Sequence, residues 1–272
     1  MNENSGSSAS PSSAAQAAAP EYLRPGLTTI TPYLVVNGAA ALIDFLKAAF
    51  DGVERLRVPT PNGSIMHAEV AIGNGAIELA DANPRFSSSP ADIHLYVPNC
   101  DETYERAIRA GATSVYPVAD QHWGDRQGAV NDAFGNHWYI ATPGWTPGPE
   151  GVPSVQPFLH LHQADKMIPF MEAAFEAEAL GVAKSPEGFI LHATIRIGNA
   201  TLEIDEARPG FEPKPCHLHI YVPNTDAAYQ RAIAAGAVSI EEPQDKPYGD
   251  RSAGVKDPFG NSWFLATYLG AR

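Results

Sequence analysis

The 272-residue sequence predicts an α+β fold of two tandem modules, each built from two βαβββ units. Three observations carry this prediction. The first is an internal repeat at an offset of 125 residues. His67-Ala68 recurs as His192-Ala193, and Ile72-Gly73-Asn74 as Ile197-Gly198-Asn199. His94-Leu95-Tyr96-Val97-Pro98-Asn99 recurs as His219-Ile220-Tyr221-Val222-Pro223-Asn224. Gly124-Asp125-Arg126 and Phe134-Gly135-Asn136 return as Gly249-Asp250-Arg251 and Phe259-Gly260-Asn261. Residues 67–142 hold 36 identities in 76 positions without a gap, where ordinary residue usage yields about one in sixteen. The second observation is a switch, twice in each module, between helical spacing and strand alternation. The third is composition: 44% hydrophobic and 18% charged residues supply a packed core, and no apolar run is long enough for a membrane span.

Each element has a local reason. Ile30 to Val36 alternates as a strand, with Pro32 placing it near a sheet edge or a strand start. Leu42, Phe45, Leu46 and Phe50 fall at i, i+3, i+4 and i+8 and predict a helix from Ala39 to Phe50. Val53 to Val58 and Ile65 to Ile72 are strands separated by the turn signal Pro61-Asn62-Gly63. Gly73-Asn74-Gly75 predicts a tight hairpin into Ala76–Ala80. The order then repeats: a strand at Ile93–Val97, a helix at Asp101–Ala110 stopped by Gly111, and three short strands near Ser114–Val118, Ala129–Asn131 and His137–Ala141. The second module repeats the pattern. The expected layout is a disordered tail over 1–26, modules at 27–145 and 152–272, and a Pro/Gly linker at 146–151.

Strand alternation sorts the faces. Ala68, Val70 and Ile72, Ile77 and Leu79, and Ile93, Leu95 and Val97 form an oily face under the helices. His67, Glu69, Glu78, Asp92, His94 and Tyr96 collect on the other, as do His192, Glu203, His217, His219 and Tyr221 in the second module. Glu78 and Glu203 stand on short, apolar strands where an unpaired carboxylate is costly, which points to a site. Tyr96, Tyr221, Trp138 and Trp263 read as packing. The repeated Asp-Arg dipeptides, Asp125-Arg126 and Asp250-Arg251, read as structural ion pairs.

The formal net charge of −13 disfavours a nucleic-acid partner. The expected partner is a small molecule, with neither nucleic acid nor membrane. Cys100 and Cys216 do not correspond in the repeat, so neither a disulfide framework nor a cysteine-built zinc site is expected. The N-terminal residues lack a signal-peptide pattern, and the expected location is the cytoplasm.

With four βαβββ units, a Gly-Asn turn before Ile77-Glu78-Leu79 and its counterpart Leu202-Glu203-Ile204, and Asp257-Pro258-Phe259-Gly260-Asn261 before the last strand, the chain resembles the vicinal oxygen chelate superfamily. This is the glyoxalase, bleomycin-resistance and extradiol-dioxygenase group. Ile65-Met66-His67-Ala68-Glu69 and Tyr248-Gly249-Asp250-Arg251 resemble its PhnB-like branch. The resemblance implies curved mixed sheets with helices on the outer face and a cleft that can hold a divalent metal (Zn, Ni, Mn or Fe). Carried over by position, the candidate ligands are Gln156, Glu203, His217 and Glu78. Thr31, Asp92, Tyr139 and Phe264 stand at the remaining places, so neither module keeps four ligands. The set Gln156, Glu203 and His217 would form a site within the second module. Pairing across modules would instead join Glu78 to His217, and Gln156 and Glu203 to Asp92.

The implied function is a metal-dependent lyase or isomerase of glyoxalase type, moving a proton next to a carbonyl with Glu203 or Glu78 as ligand or general base. His67, His192, His94, His219, Tyr139 and Phe264 are the expected substrate contacts. A dioxygenase ranks lower because the mapped positions supply one histidine. The alternative is a metal-free protein that sequesters a small aromatic or cationic compound, as bleomycin-resistance proteins do. Fusion of the modules makes a pseudo-twofold monomer sufficient, with a homodimer also open.

Overall fold

The computed structural model describes residues 20–144 and 153–270. The expected linker lies outside the described residues, as does the tail up to residue 19. The first unit is β1 (Ile30–Val36), α1 (Ala39–Phe50), β2 (Val53–Pro59), β3 (Ile65–Ile72) and β4 (Gly75–Asp81). The second is β5 (Asp92–Tyr96), α2 (Cys100–Arg109), β6 (Thr113–Asp120), β7 (Arg126–Asn131) and β8 (His137–Thr142). The third is β9 (Val155–Leu161), α3 (Ala164–Phe175), β10 (Glu178–Lys184), β11 (Ile190–Ile197) and β12 (Ala200–Glu206). The fourth is β13 (His217–Tyr221), α4 (Thr225–Ala234), β14 (Val238–Asp245), β15 (Asp250–Lys256) and β16 (Ser262–Tyr268). Every predicted element is present, with bounds shifted by a few residues at most.

The units pair across modules. One open eight-stranded sheet runs β14-β15-β16-β13-β1-β4-β3-β2 and joins the first unit to the fourth. The other runs β10-β11-β12-β9-β5-β8-β7-β6 and joins the third to the second. The seams are antiparallel, with Thr31 opposite His219 and His94 opposite Gln156. Strand β1 is therefore interior, and Pro32 is not on an edge strand. It is tolerated because β1 pairs with β13 over Ile30–Tyr33 and with β4 over Tyr33–Val36, so the missing N–H falls where the pairing changes hands.

The oily strand faces and all four helices share one core. At its centre Phe50 meets Trp138 at 4.7 Å and Phe175 meets Trp263 at 4.6 Å. Each buried indole N–H donates to an aspartate in the preceding turn, Asp132 or Asp257. The two cysteines are buried and free. The repeated Gly-Asn turns tie each sheet to the segment that leads into the other. Asn74 Oδ1 accepts from the Ser154 N–H at 2.6 Å, and Asn199 Oδ1 from that of Thr29 at 2.9 Å. A Cβ on Gly73, which has φ of +58°, would stand 2.3 Å from Ser154 Oγ, so glycine is required there.

The helix α1 has no side-chain cap of its own. Asp81, at the end of β4, accepts the Gly38 and Ala39 N–H groups at 2.9 and 2.8 Å and that of Ile65 at 2.7 Å. Burial works to raise its carboxyl, but these three donors outweigh burial and hold it below the ordinary aspartate range. Asp81→Ala is expected to cost about 1–3 kcal/mol, read as a lower urea midpoint. Because the folded value is depressed, the contribution is complete above about pH 4 and is lost on further acidification. Equal midpoints at neutral pH would refute the assignment.

Residues 20–26, assigned to the tail from sequence, are packed. Leu23 and Leu27 are buried against Ala76, Tyr221 and Ala266, and Tyr268 donates its N–H to the Tyr22 carbonyl. No helix among the described residues is long and apolar enough to cross a membrane.

Candidate functional site

The face of each sheet opposite the helices, where the resemblance implies a cleft, draws on both modules. In the first, β3 sets Glu69 directly opposite Glu78 of β4, and both carboxylates are buried. Like charges facing across paired strands repel, so the pair needs a positive neighbour. His219 of β13 supplies one, its Nδ1 2.6 Å from Glu78 Oε2. His67 lies next to Glu69, Nε2 to Oε1 3.4 Å, with the Tyr33 hydroxyl 3.3 Å from its Nδ1. The ligand atoms of His67, Glu69 and Glu78 all lie within 4.8 Å of one another.

Arg24 closes this cleft from the N-terminal segment, 3.5 Å from Glu69 and 3.3 Å from Asp250, whose other oxygen accepts the Tyr221 hydroxyl at 3.0 Å. Burial works to raise the Glu69 carboxyl, yet the His67 hydrogen bond and the charges of His67 and Arg24 hold it below its ordinary value. Burial likewise works to lower His219, and Glu78 more than offsets it, so the imidazole is raised. The wall is aromatic: Phe264 lies 6.0 Å from Tyr33 and 5.8 Å from Phe86.

The second cleft is built from the equivalent strands with different chemistry. Glu203 of β12 is flanked by His94 Nδ1 at 2.8 Å and His192 Nε2 at 3.5 Å. Burial alone would raise its carboxyl, but these two imidazoles bring it down to about 2. Thr194 stands opposite it, where the first cleft has Glu69. Gln156 is occupied elsewhere, its Oε1 accepting the Thr201 hydroxyl at 2.6 Å. Beside this pair lies a second charged group formed by Asp92, His160, Asp205, Arg208 and Lys214 with Tyr139.

These positions redistribute the residues expected from sequence. The set Gln156, Glu203 and His217 does not form one site. Gln156 and Glu203 are on the second sheet and His217 on the first, because units of different modules pair. Nor does His217 reach Glu78. It lies opposite Tyr33 in the seam, among Phe86 and Phe264, with a buried Nδ1 that has no partner. His219, two residues on, takes the place beside Glu78. The first cleft thus gathers Glu78, His67, His219 and Phe264, and the second gathers Glu203, His94, His192 and Tyr139. Arg24, His160, Asp205 and Lys214 were missed. Arg24 and Lys214 lie outside any strand, where alternation carries no signal.

In the repeated Asp-Arg dipeptides the neighbours do not pair with each other. Arg126 binds Asp101 at 2.6 Å and Asp120 at 2.9 Å, and Arg251 binds Asp226 at 2.7 Å and Asp245 at 3.0 Å. Asp250 is left to face the first cleft.

Similarities of sequence and of structure bear on this architecture. A profile described as the glyoxalase/bleomycin resistance protein/dioxygenase superfamily matches residues 26–140, and one described as a glyoxalase-like domain matches residues 163–266. The chain belongs to this superfamily. An uncharacterized protein of Mycobacterium bovis is 42% identical over 125 residues, which is 42% of this chain and 82% of its own. One of Mycobacterium tuberculosis has the same identity over 74% of its length. Glyoxalase I of Zea mays superposes with a TM-score of 0.68 over 88% of this chain and 92% of its own, at 15% identity. At that identity the likeness to this superfamily member is one of fold.

Proposed function

We propose that the first cleft is a metal-dependent glyoxalase-type site that moves a proton beside a carbonyl of a small oxygen-bearing substrate. The observation that supports this reading most is the convergence of His67, Glu69 and Glu78 in one cleft. One imidazole and two carboxylates suit a divalent ion with open positions. A cation there also answers the repulsion between two buried carboxylates on facing strand positions. The ion, when bound, supplies a Lewis acid for the substrate's neighbouring oxygens. Glu78, hydrogen-bonded to His219, is the carboxylate placed to take the proton. Arg24 holds Glu69 in orientation and carries a positive charge to the mouth of the cleft. Tyr33, Phe86 and Phe264 form an apolar wall against which the rest of the substrate packs.

The test is elemental mass spectrometry of the purified chain and of Glu69→Ala, Glu78→Ala and Glu203→Ala. About one divalent ion per chain is expected, lost in the first two variants and kept in the third. Absence of stoichiometric metal after reconstitution, or its loss in Glu203→Ala alone, would overturn the reading.

A further inference from the structure

The second cleft carries a buried Tyr-His-Asp chain at three positions that hold apolar residues in the first. Asp205 Oδ1 lies 2.5 Å from His160 Nδ1, and His160 Nε2 lies 3.0 Å from the Tyr139 hydroxyl. All three side chains are at least 96% buried. The carboxylate takes the Nδ1 proton in hydrogen bonding, which leaves Nε2 as the acceptor for the Tyr139 O–H. Around this line, Arg208 Nη1 is 2.6 Å from Asp205 Oδ2, and Lys214 Nζ is 2.6 Å from Asp92 Oδ1. Asp92 Oδ2 is 4.0 Å from His160 Nε2.

The other half of the molecule shows that the fold does not require this line. At the positions 125 residues away, Val35 stands for His160, Ala80 for Asp205 and Phe264 for Tyr139. The same fold closes around three apolar side chains there. Burying a polar line costs desolvation that apolar residues of similar size avoid, which makes the line a candidate for a role beyond folding. Two further groups point to a ligand. His94 Nε2 and His137 Nε2 are buried polar atoms with no partner, and both residues are 6% exposed. Their rings lie 6.3 and 4.4 Å from that of Tyr139, on the same sheet face. Burial lowers His137 to about 4, with Lys214 and His160 adding to it, so the imidazole stays neutral. Phe158 and Phe211 flank His160 at 4.7 and 5.4 Å and make the surroundings aromatic.

We propose that the second cleft is a metal-free site for an aromatic compound with an acidic hydroxyl, whose proton it takes through Tyr139 to His160. The ligand O–H bond breaks and its proton joins the Tyr139 oxygen, while the Tyr139 proton passes to His160 Nε2. The products are a bound aryloxide and an imidazolium held between Asp205 and Asp92. No electrons are exchanged and no other reactant is needed. Tyr139 is a phenol in both states, since burial, with Asp92 and Asp205 adding to it, raises its hydroxyl far above the ordinary range. The aryloxide faces the free nitrogens of His94 and His137, and ring stacking comes from the aromatic wall. The charged groups acting on His160 are Asp92 and Asp205, paired with Lys214 and Arg208, and Glu212, so the imidazolium joins three carboxylates and two cations.

The probe is 4-nitrophenol, titrated against the EDTA-treated full chain at a pH about two units below the probe's own ionisation. A saturable phenolate absorbance is expected on binding. Tyr139→Phe and His160→Val, which install the residues of the other cleft, are expected to reduce that absorbance at least about tenfold with unchanged circular dichroism. Binding detected by calorimetry without the phenolate band would overturn the proposal. So would a band undiminished in either variant, or no binding up to about 1 mM. Because EDTA strips the ion proposed for the first cleft, a failure there leaves this result intact, and the reverse holds too.

Discussion

Asp257→Ala is expected to destabilise the protein by about 3–5 kcal/mol. One carboxylate closes the whole turn between β15 and β16. Its Oδ1 accepts the Phe259 and Asn261 N–H groups, both at 2.9 Å, and its Oδ2 accepts Asn261 Nδ2 and Trp263 Nε1, also at 2.9 Å. Alanine leaves all four donors in the core. The indole is the worst placed, since Trp263 is fully buried against Phe175. A donor left unsatisfied costs about 1–3 kcal/mol, and neighbours in one turn are not additive. Against a total stability of roughly 5–15 kcal/mol, much of the margin goes. Asp132, which makes the same four bonds in the first module, predicts an equal loss. Denaturant midpoints of the two variants check this, and a loss below about 1 kcal/mol in both would show that solvent reaches the turn.

Glu203→Gln is the second. The substitution keeps size and removes charge, and it is expected to cost about 3–5 kcal/mol at neutral pH by breaking a buried charge pair. The pH profile distinguishes this from lost packing. With the folded carboxyl at about 2 against an ordinary value of 4.5, the wild-type contribution is complete above the ordinary value and is lost as pH falls toward 2. His192 works in the opposite direction. Burial lowers it, but Glu203 outweighs burial and raises it. Its share is therefore present below the ordinary value of 6.5 and fades as pH rises through the folded one. That share is small, because His192 is 46% exposed and solvent screens it. The stability difference between wild type and the variant is expected to shrink through both windows, while Asp81, Glu69 and His219 titrate in each protein alike. Profiles that run parallel to wild type would show that Glu203 carries no charge in the fold.

Local pattern accounts for a large part of the architecture. The 125-residue repeat, the strand alternation and the Gly-Asn turns are sufficient for the sixteen strands and four helices of the described residues and for the split between an oily and a polar sheet face. Alternation is a property of the backbone pleat, so it survives whatever the strand pairs with. That is why Glu78 and Glu203 could be placed on a cleft face, and why Trp138 and Trp263 could be read as core.

Partnership between elements was not legible. His217 and His219 share a face, and alternation cannot separate them. The register of β13 on β1 puts His219 opposite Thr31, within reach of Glu78, and sends His217 toward Phe86 and Phe264. The choice between sites within a module and across modules was equally hidden. Four units with nearly interchangeable oily faces can pair in more than one way, and the preference is a sum over many long-range contacts rather than a local motif. Arg24 and Lys214 entered the clefts from segments without periodicity. The residue types for two clefts are thus written along the chain, while their division into a His-Glu-Glu group and a Tyr-His-Asp line follows from which strands meet, because a strand sets the direction of its side chains and only its neighbours set their company.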